Sequence, residues 1–141
     1  MTKPSLLFDA SSILTLVREL RRDAADKLAD EATISLAYYE VGNALWRECL
    51  LLKRISQQEA ENLLSEMYAI IGEMKVTTPP GENDGNAILA AACKFNLTFY
   101  DSAYLAEADR SKSTLVTDDK KLAAMAQKAG VKTLTSKEFT H

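Results

Sequence analysis

Residues 113–130 read STLVTDDKKLAAMAQKAG, and the organisation of this stretch decides the fold. Thr114 to Thr117 is a short, mostly apolar and β-branched run, the kind that forms a buried strand, and Asp118 and Asp119 end it. Lys120 to Ala129 then reads as a helix closed by Gly130. An acid at the carboxyl end of a parallel strand points into the crevice where open α/β sheets bind their ligands. Strand, acid and helix in that order predict such a sheet.

The same grammar extends outward in both directions. Leu6 to Phe8 reads as a first strand ended by Asp9, and Ser11 or Ser12 is placed to cap a helix running toward Arg18. A second short helix is expected over Asp23 to Asp30, and a second strand over Thr33 to Ser35. From Ala37 to about Lys53, Val41, Leu45, Cys49 and Leu52 recur at helical spacing, widened by Tyr38 and Trp46, with Glu40 beside the stripe. Ser56-Gln57-Gln58-Glu59 is a capping box that opens a helix to about Met74. Thr77 to Pro80 reads as a short third strand or extended turn, stopped by Pro79-Pro80-Gly81, and Asp84 to Lys94 as an alanine-rich helix that Asn96 ends in a left-handed conformation. Leu97 to Tyr100 is a β-like run leading into Asp101, and Val131 to Leu134 a last edge strand. Short apolar runs alternating with longer helical patterns predict an α/β fold, a three-layer α/β/α sandwich around a mostly parallel central sheet, formed as one domain over residues 1–141.

Composition narrows the chemistry. The only histidine is His141, so a Ser-His-Asp or Cys-His mechanism and the His-rich sites of zinc enzymes are not expected. Cys49 and Cys93 lack a CxxC spacing and read as buried free thiols. No secretory pattern opens the chain and no apolar run approaches the roughly 20 residues that cross a bilayer, so a soluble cytoplasmic protein without membrane contact is expected. What remains for chemistry is carboxylates: Asp9, Glu40, Asp101, Asp118 and Asp119, a set that reads as a Mg²⁺ or Mn²⁺ site, because hard divalent cations take oxygen ligands. The net charge of −3 argues against a polyanionic substrate only at first sight. Setting those five aside from the 20 acidic residues leaves 15 against 17 basic ones. Arg18, Arg21, Arg22, Lys53, Arg54, Lys120 and Lys121 are the candidate phosphate contacts, or else solvated helix ends.

Four motifs in order carry a resemblance: Asp9-Ala10-Ser11, Ser35-Leu36-Ala37-Tyr38-Tyr39-Glu40, Tyr100-Asp101-Ser102-Ala103-Tyr104-Leu105, and Thr117-Asp118-Asp119-Lys120-Lys121-Leu122. Together they make the chain resemble the PIN-domain ribonucleases, and in size the VapC-type toxins. The resemblance implies that Asp9, Glu40, Asp101 and Asp119 hold a divalent metal, with Ser11 and Thr117 orienting the carboxylates or bound water unless they only cap strand and helix ends. Asp118 is left as a second ligand, a ligand to metal-bound water, or a helix cap. Tyr100 and Tyr104 read as core-lining rather than RNA-stacking. The resemblance further implies endonucleolytic hydrolysis of RNA, a small antitoxin partner and a homodimer. Competing readings are a free-standing RNA-processing nuclease, a non-catalytic PIN-like binding module, and a phosphoacceptor receiver domain, which would leave Glu40 without a role.

Overall fold

The structure, a computed structural model, describes residues 5–79 and 81–141. Among the described residues five short strands form one sheet: β1 (Leu6–Phe8), β2 (Ala32–Ile34), β3 (Lys75–Thr77), β4 (Thr114–Val116) and β5 (Thr133–Leu134). Their order is β3-β2-β1-β4-β5 and every pairing is parallel. The helices among the described residues are α1 (Ala10–Leu20), α2 (Arg22–Leu28), α3 (Leu36–Trp46), α4 (Gln57–Gly72), α5 (Glu82–Phe95), α6 (Phe99–Ser111), α7 (Lys120–Lys128) and α8 (Ser136–Thr140).

The expected three layers follow from the two-residue period of the strands. Phe8 and Val116 point to one side, where α1 to α4 close a core with Ile13, Leu16, Leu28, Val41 and Met67. Leu7, Ile34 and Leu115 point to the other, against Ile88, Tyr104, Leu105 and Leu122 from α5, α6 and α7. Fully burying a side chain of this size stabilises by roughly 1.5–3 kcal/mol, against about 1 kcal/mol net for a ladder hydrogen bond. Strands of two or three residues are therefore held by what their faces bury.

Strand order locates the crevice. The chain lays β1, β2 and β3 outward in one direction, then crosses to place β4 and β5 on the other side of β1. The direction of winding reverses between β1 and β4, and ligands of open α/β sheets bind outside the carboxyl ends of the strands at such a point. Asp9 follows β1, and Asp118 and Asp119 follow β4.

Several local expectations change. Asp9, not Ser11 or Ser12, caps α1, its carboxylate accepting from the Ser12 N–H. Asp101 follows no strand: Thr98 caps α6 and Asp101 lies in its first turn, because a polar cap beside good helix formers outweighs the β propensity of two aromatics. The helix from Ala37 to Lys53 is α-helical only to Trp46 and continues as a π-helical turn, Arg47–Leu51, with Leu52 N–H bonded to Arg47 C=O at 2.8 Å. The wider turn rotates side chains out of the stripe, so Val41 and Leu45 are buried while Cys49 is half-buried and Leu52 exposed. Cys93, on the outer face of α5, is exposed; both thiols are free, but neither is buried as expected. Asn96 at φ 54° ends α5 and Gly130 at φ 84° follows α7, as read from the sequence, and the Ser56/Glu59 capping box is formed. Pro80 of the Pro79-Pro80-Gly81 stop lies outside the described residues. Helix α8 was not expected.

Candidate active site

The carboxyl ends of β1 and β4 are laced together by side chains. Phe8 pairs with Val116, and the Asp9 N–H continues the ladder to Val116 C=O. The buried Ser12 Oγ contacts the same carbonyl at 2.9 Å, and Thr33 Oγ1 on β2 donates to Phe8 C=O at 2.7 Å. These bonds hold the residue before Asp9 and the residue before Thr117 in fixed register.

The Asp9 side chain is buried, and three donors meet it. Oδ1 accepts from Ser11 Oγ at 2.8 Å and from the Ser12 N–H at 2.9 Å, and Oδ2 from Thr117 Oγ1 at 2.5 Å. An ionised carboxylate offers about four lone-pair directions, so one on Oδ2 stays open among the described residues. Thr117 Oγ1 also accepts from the Asp119 N–H, and Ser11 Oγ from the Asp118 N–H, both at 3.0 Å. The two hydroxyls thus join the loop after β1 to the loop after β4. Asp119 caps α7 through Oδ1 and the Leu122 N–H. Glu40 stands on α3 and Asp101 on α6, both half-buried.

Electrostatics ties these acids into one set. Burial raises the Asp9 pKa above its ordinary value, against the opposing effect of the Thr117, Ser12 and Ser11 hydrogen bonds. Burial also raises that of Glu40, with the Asp101 and Asp9 charges adding to it. Asp101 is raised by burial and by Asp119, while the Lys121 ammonium pulls the other way. Tyr104 Oη is buried beside Glu40; burial, the Glu40 charge and the contact with the Glu40 carboxylate raise its pKa and keep the phenol protonated. Among the described residues, no three Asp, Glu, His or Cys side chains converge closely enough to enclose a metal ion. The donor set nevertheless fits a hard divalent cation: all oxygen, mutually repelling, with an open lone pair on Asp9.

Tyr104 is core-lining, as read from the sequence, but Tyr100 is 60% exposed beside Asp101. Asp118 turns away from the other acids, its Oδ1 accepting from the Ser136 N–H at 2.9 Å. The sequence reading missed that contact, because its partner lies on the unforeseen α8; the Thr135/Glu138 capping box was the available signal. No helix among the described residues is long and apolar enough to cross a membrane.

No family model matches the chain. It is 37% identical over 125 residues to ribonuclease VapC3 of Pyrobaculum aerophilum, covering 84% of this chain and 92% of that protein. It is 34% identical over 125 residues to exonuclease VapC9 of the same organism, covering 87% and 86% respectively. The crystal structure of PAE2754 from Pyrobaculum aerophilum superposes with a TM-score of 0.76 at 28% identity over 95% of this chain and 92% of that one. With this identity along nearly the whole of its relatives, on a parallel α/β sheet whose winding reverses between β1 and β4, the chain belongs to the VapC family of PIN-domain nucleases.

Proposed function

We propose that the protein is a divalent-metal-dependent endoribonuclease, the toxin of a toxin-antitoxin pair, with Asp9, Glu40, Asp101 and Asp119 as the acids of its active site. The observation that carries this reading is the nearness of these carboxylates at the β1/β4 crevice: burial raises the pKa of Asp9, Glu40 and Asp101, neighbouring carboxylates add to the rise at Glu40 and Asp101, and a cation would relieve both effects. Mg²⁺ or Mn²⁺ bound there would lower the pKa of water and stabilise charge on the departing 3′ oxygen. The chain's own residues do the positioning. Ser11 and Thr117 hold the Asp9 carboxylate in one orientation. Asp119 is fixed at the head of α7. Glu40 and Asp101 approach from helices on opposite faces of the sheet, so their separation is set by core packing. The exposed Lys121 places a positive charge beside Asp101, where a phosphodiester would otherwise meet only negative ones.

The face formed by α3, its π-helical extension and α4 exposes Trp46, Leu50, Leu51, Leu52 and Tyr68. Apolar surface of this extent supports coverage by a partner, the antitoxin or a second copy in a homodimer. One relative is named an exonuclease, so the test includes substrates without ends. Partner-free protein is incubated with linear and circular RNA pools in Mg²⁺, Mn²⁺ or EDTA, beside an Asp9→Asn/Asp101→Asn double variant. Metal-dependent opening of circles, lost in the variant, is the expected result. Digestion of linear RNA alone would replace endonuclease by exonuclease, and no cleavage of either pool would remove the enzymatic reading.

A further inference from the structure

Asp118 directly precedes a proposed active-site acid, yet its carboxylate is engaged elsewhere. Helix α8 leaves N–H groups to be satisfied at its start, as every helix does. Its capping box accounts for two backbone donors: Glu138 N–H goes to Thr135 Oγ1 and Thr135 N–H to Glu138 Oε1. The Ser136 N–H lies outside that exchange, and Asp118 Oδ1 accepts it from 18 residues earlier in the chain. Asp118 Oδ2 is buried, with no hydrogen-bond partner among the described residues, so neither oxygen is open to the crevice.

Helix α8 touches both halves of the crevice. Phe139 packs edge-on against Phe8, the residue before Asp9, with ring centroids 4.9 Å apart. Through Asp118 the helix holds the segment after β4, whose other side is held by Ser11 Oγ on the Asp118 N–H. Thr117 directly precedes this doubly anchored Asp118, and its hydroxyl bonds both Asp9 Oδ2 and the Asp119 N–H. A shift of the 117–119 segment therefore moves Asp119 relative to Asp9.

We propose that Asp118 is a positioning residue and not a metal ligand: its carboxylate grips the first N–H of α8, and α8 in turn buttresses the strand ends that carry Asp9 and Asp119. This rests on the reading of Asp9 and Asp119 as active-site acids. The grip needs an acceptor oxygen, not a charge. Asparagine should serve and alanine should not.

The test compares wild type, Asp118→Asn, Asp118→Ala and Ser136→Pro. The proline removes the donor from the other end of the contact, at a first-turn position that suits it. Cleavage kcat and KM, Mn²⁺ affinity by electron paramagnetic resonance, and melting temperature in EDTA are measured for each. A positioning role predicts that Asp118→Ala and Ser136→Pro each lower kcat by about 10–100-fold with a much smaller change in KM, the scale of lost support behind a metal site. Both should weaken Mn²⁺ binding together, the combination should be no worse than either alone, and Asp118→Asn should recover most of the loss. If Asn and Ala both lose Mn²⁺ while Ser136→Pro keeps it, Asp118 is a ligand and the proposal fails. If Ala melts earlier with kcat intact, the contact is only a helix cap, and the proposal fails again. Should Ala not fold, the contrast between Asn and Ser136→Pro decides. Should wild type cut no RNA, the proposed function fails separately, and the Mn²⁺ affinities of the same chains still distinguish grip from ligand.

Discussion

Replacing Asp9 by Asn and by Ala separates the two tasks this residue performs. Asn keeps an oxygen for the Ser12 N–H and Ser11 Oγ, so the α1 cap survives. Ala removes the cap and leaves a buried N–H and two hydroxyls without their acceptor. Loss of an N-cap costs about 0.5–2 kcal/mol and a stranded buried donor about 1–3, so Ala should destabilise by roughly 2–4 kcal/mol. At about 3–4 °C per kcal/mol for a chain of this size, its melting temperature falls by roughly 6–15 °C. Asn should match or exceed wild type in EDTA, because it removes a buried carboxylate whose pKa is raised. The sign follows from linkage: the unfolded Asp loses its proton near pH 3.9, the folded one only at higher pH, so wild type loses stability as pH rises from about 4 through the folded pKa. The Asn-minus-wild-type difference should open across that window. With Mg²⁺ at 100 times its dissociation constant the order reverses, since wild type gains about 2.7 kcal/mol and Asn much less. Thermal unfolding in EDTA and in Mg²⁺, at several pH values, reads all of this. An Asn variant that melts as early as Ala, or that keeps the full Mg²⁺ gain, would refute the reasoning.

Two further outcomes follow from the same contacts. Thr117→Val preserves shape but strips a hydrogen bond from Asp9 and an acceptor from the Asp119 N–H; it should cost about 2–4 kcal/mol in denaturant melts and lower cleavage about 10–100-fold, with a smaller effect when Asp9 is already Asn. Lys121→Ala should raise the Asp101 titration midpoint, followed by carboxyl NMR in EDTA, and weaken RNA binding, while stabilising α7 by about 0.3–1 kcal/mol because a cation in a first helical turn opposes the macrodipole; an unmoved Asp101 midpoint would contradict the electrostatic assignment.

The features legible in the sequence are those set by local chemistry. A strand such as TLV announces itself because both faces are buried, and Asp9 and Asp119 are marked by ending such runs. Glu40 is placed by the helical stripe of Val41 and Leu45. What escaped depends on partners distant in the chain. Whether Asp9 or Ser11 caps α1 is decided by Thr117 Oγ1 and Val116 C=O holding that turn from across the sheet. SKEFT is too short to signal a helix by period; it is ordered by Phe139 on Phe8 and by Asp118, neither visible locally. Tyr100 was misplaced for a similar reason: a helix start turns successive residues by about 100°, so Asp101 and Tyr100 face different surroundings.

The chemistry of the cut ends tests the central claim most directly. Activated water attacking the phosphorus, with the 3′ oxygen leaving, yields 5′-phosphate and 3′-hydroxyl termini. Attack by the RNA's own 2′-hydroxyl yields 2′,3′-cyclic phosphate and 5′-hydroxyl termini and needs no carboxylate-held cation. Cleavage by the purified protein in Mn²⁺, stopped by EDTA and absent in Asp101→Asn, should give 5′-phosphate ends carrying ¹⁸O when the water is ¹⁸O-labelled. Cyclic phosphate ends, or cleavage unaffected by EDTA, would contradict the account.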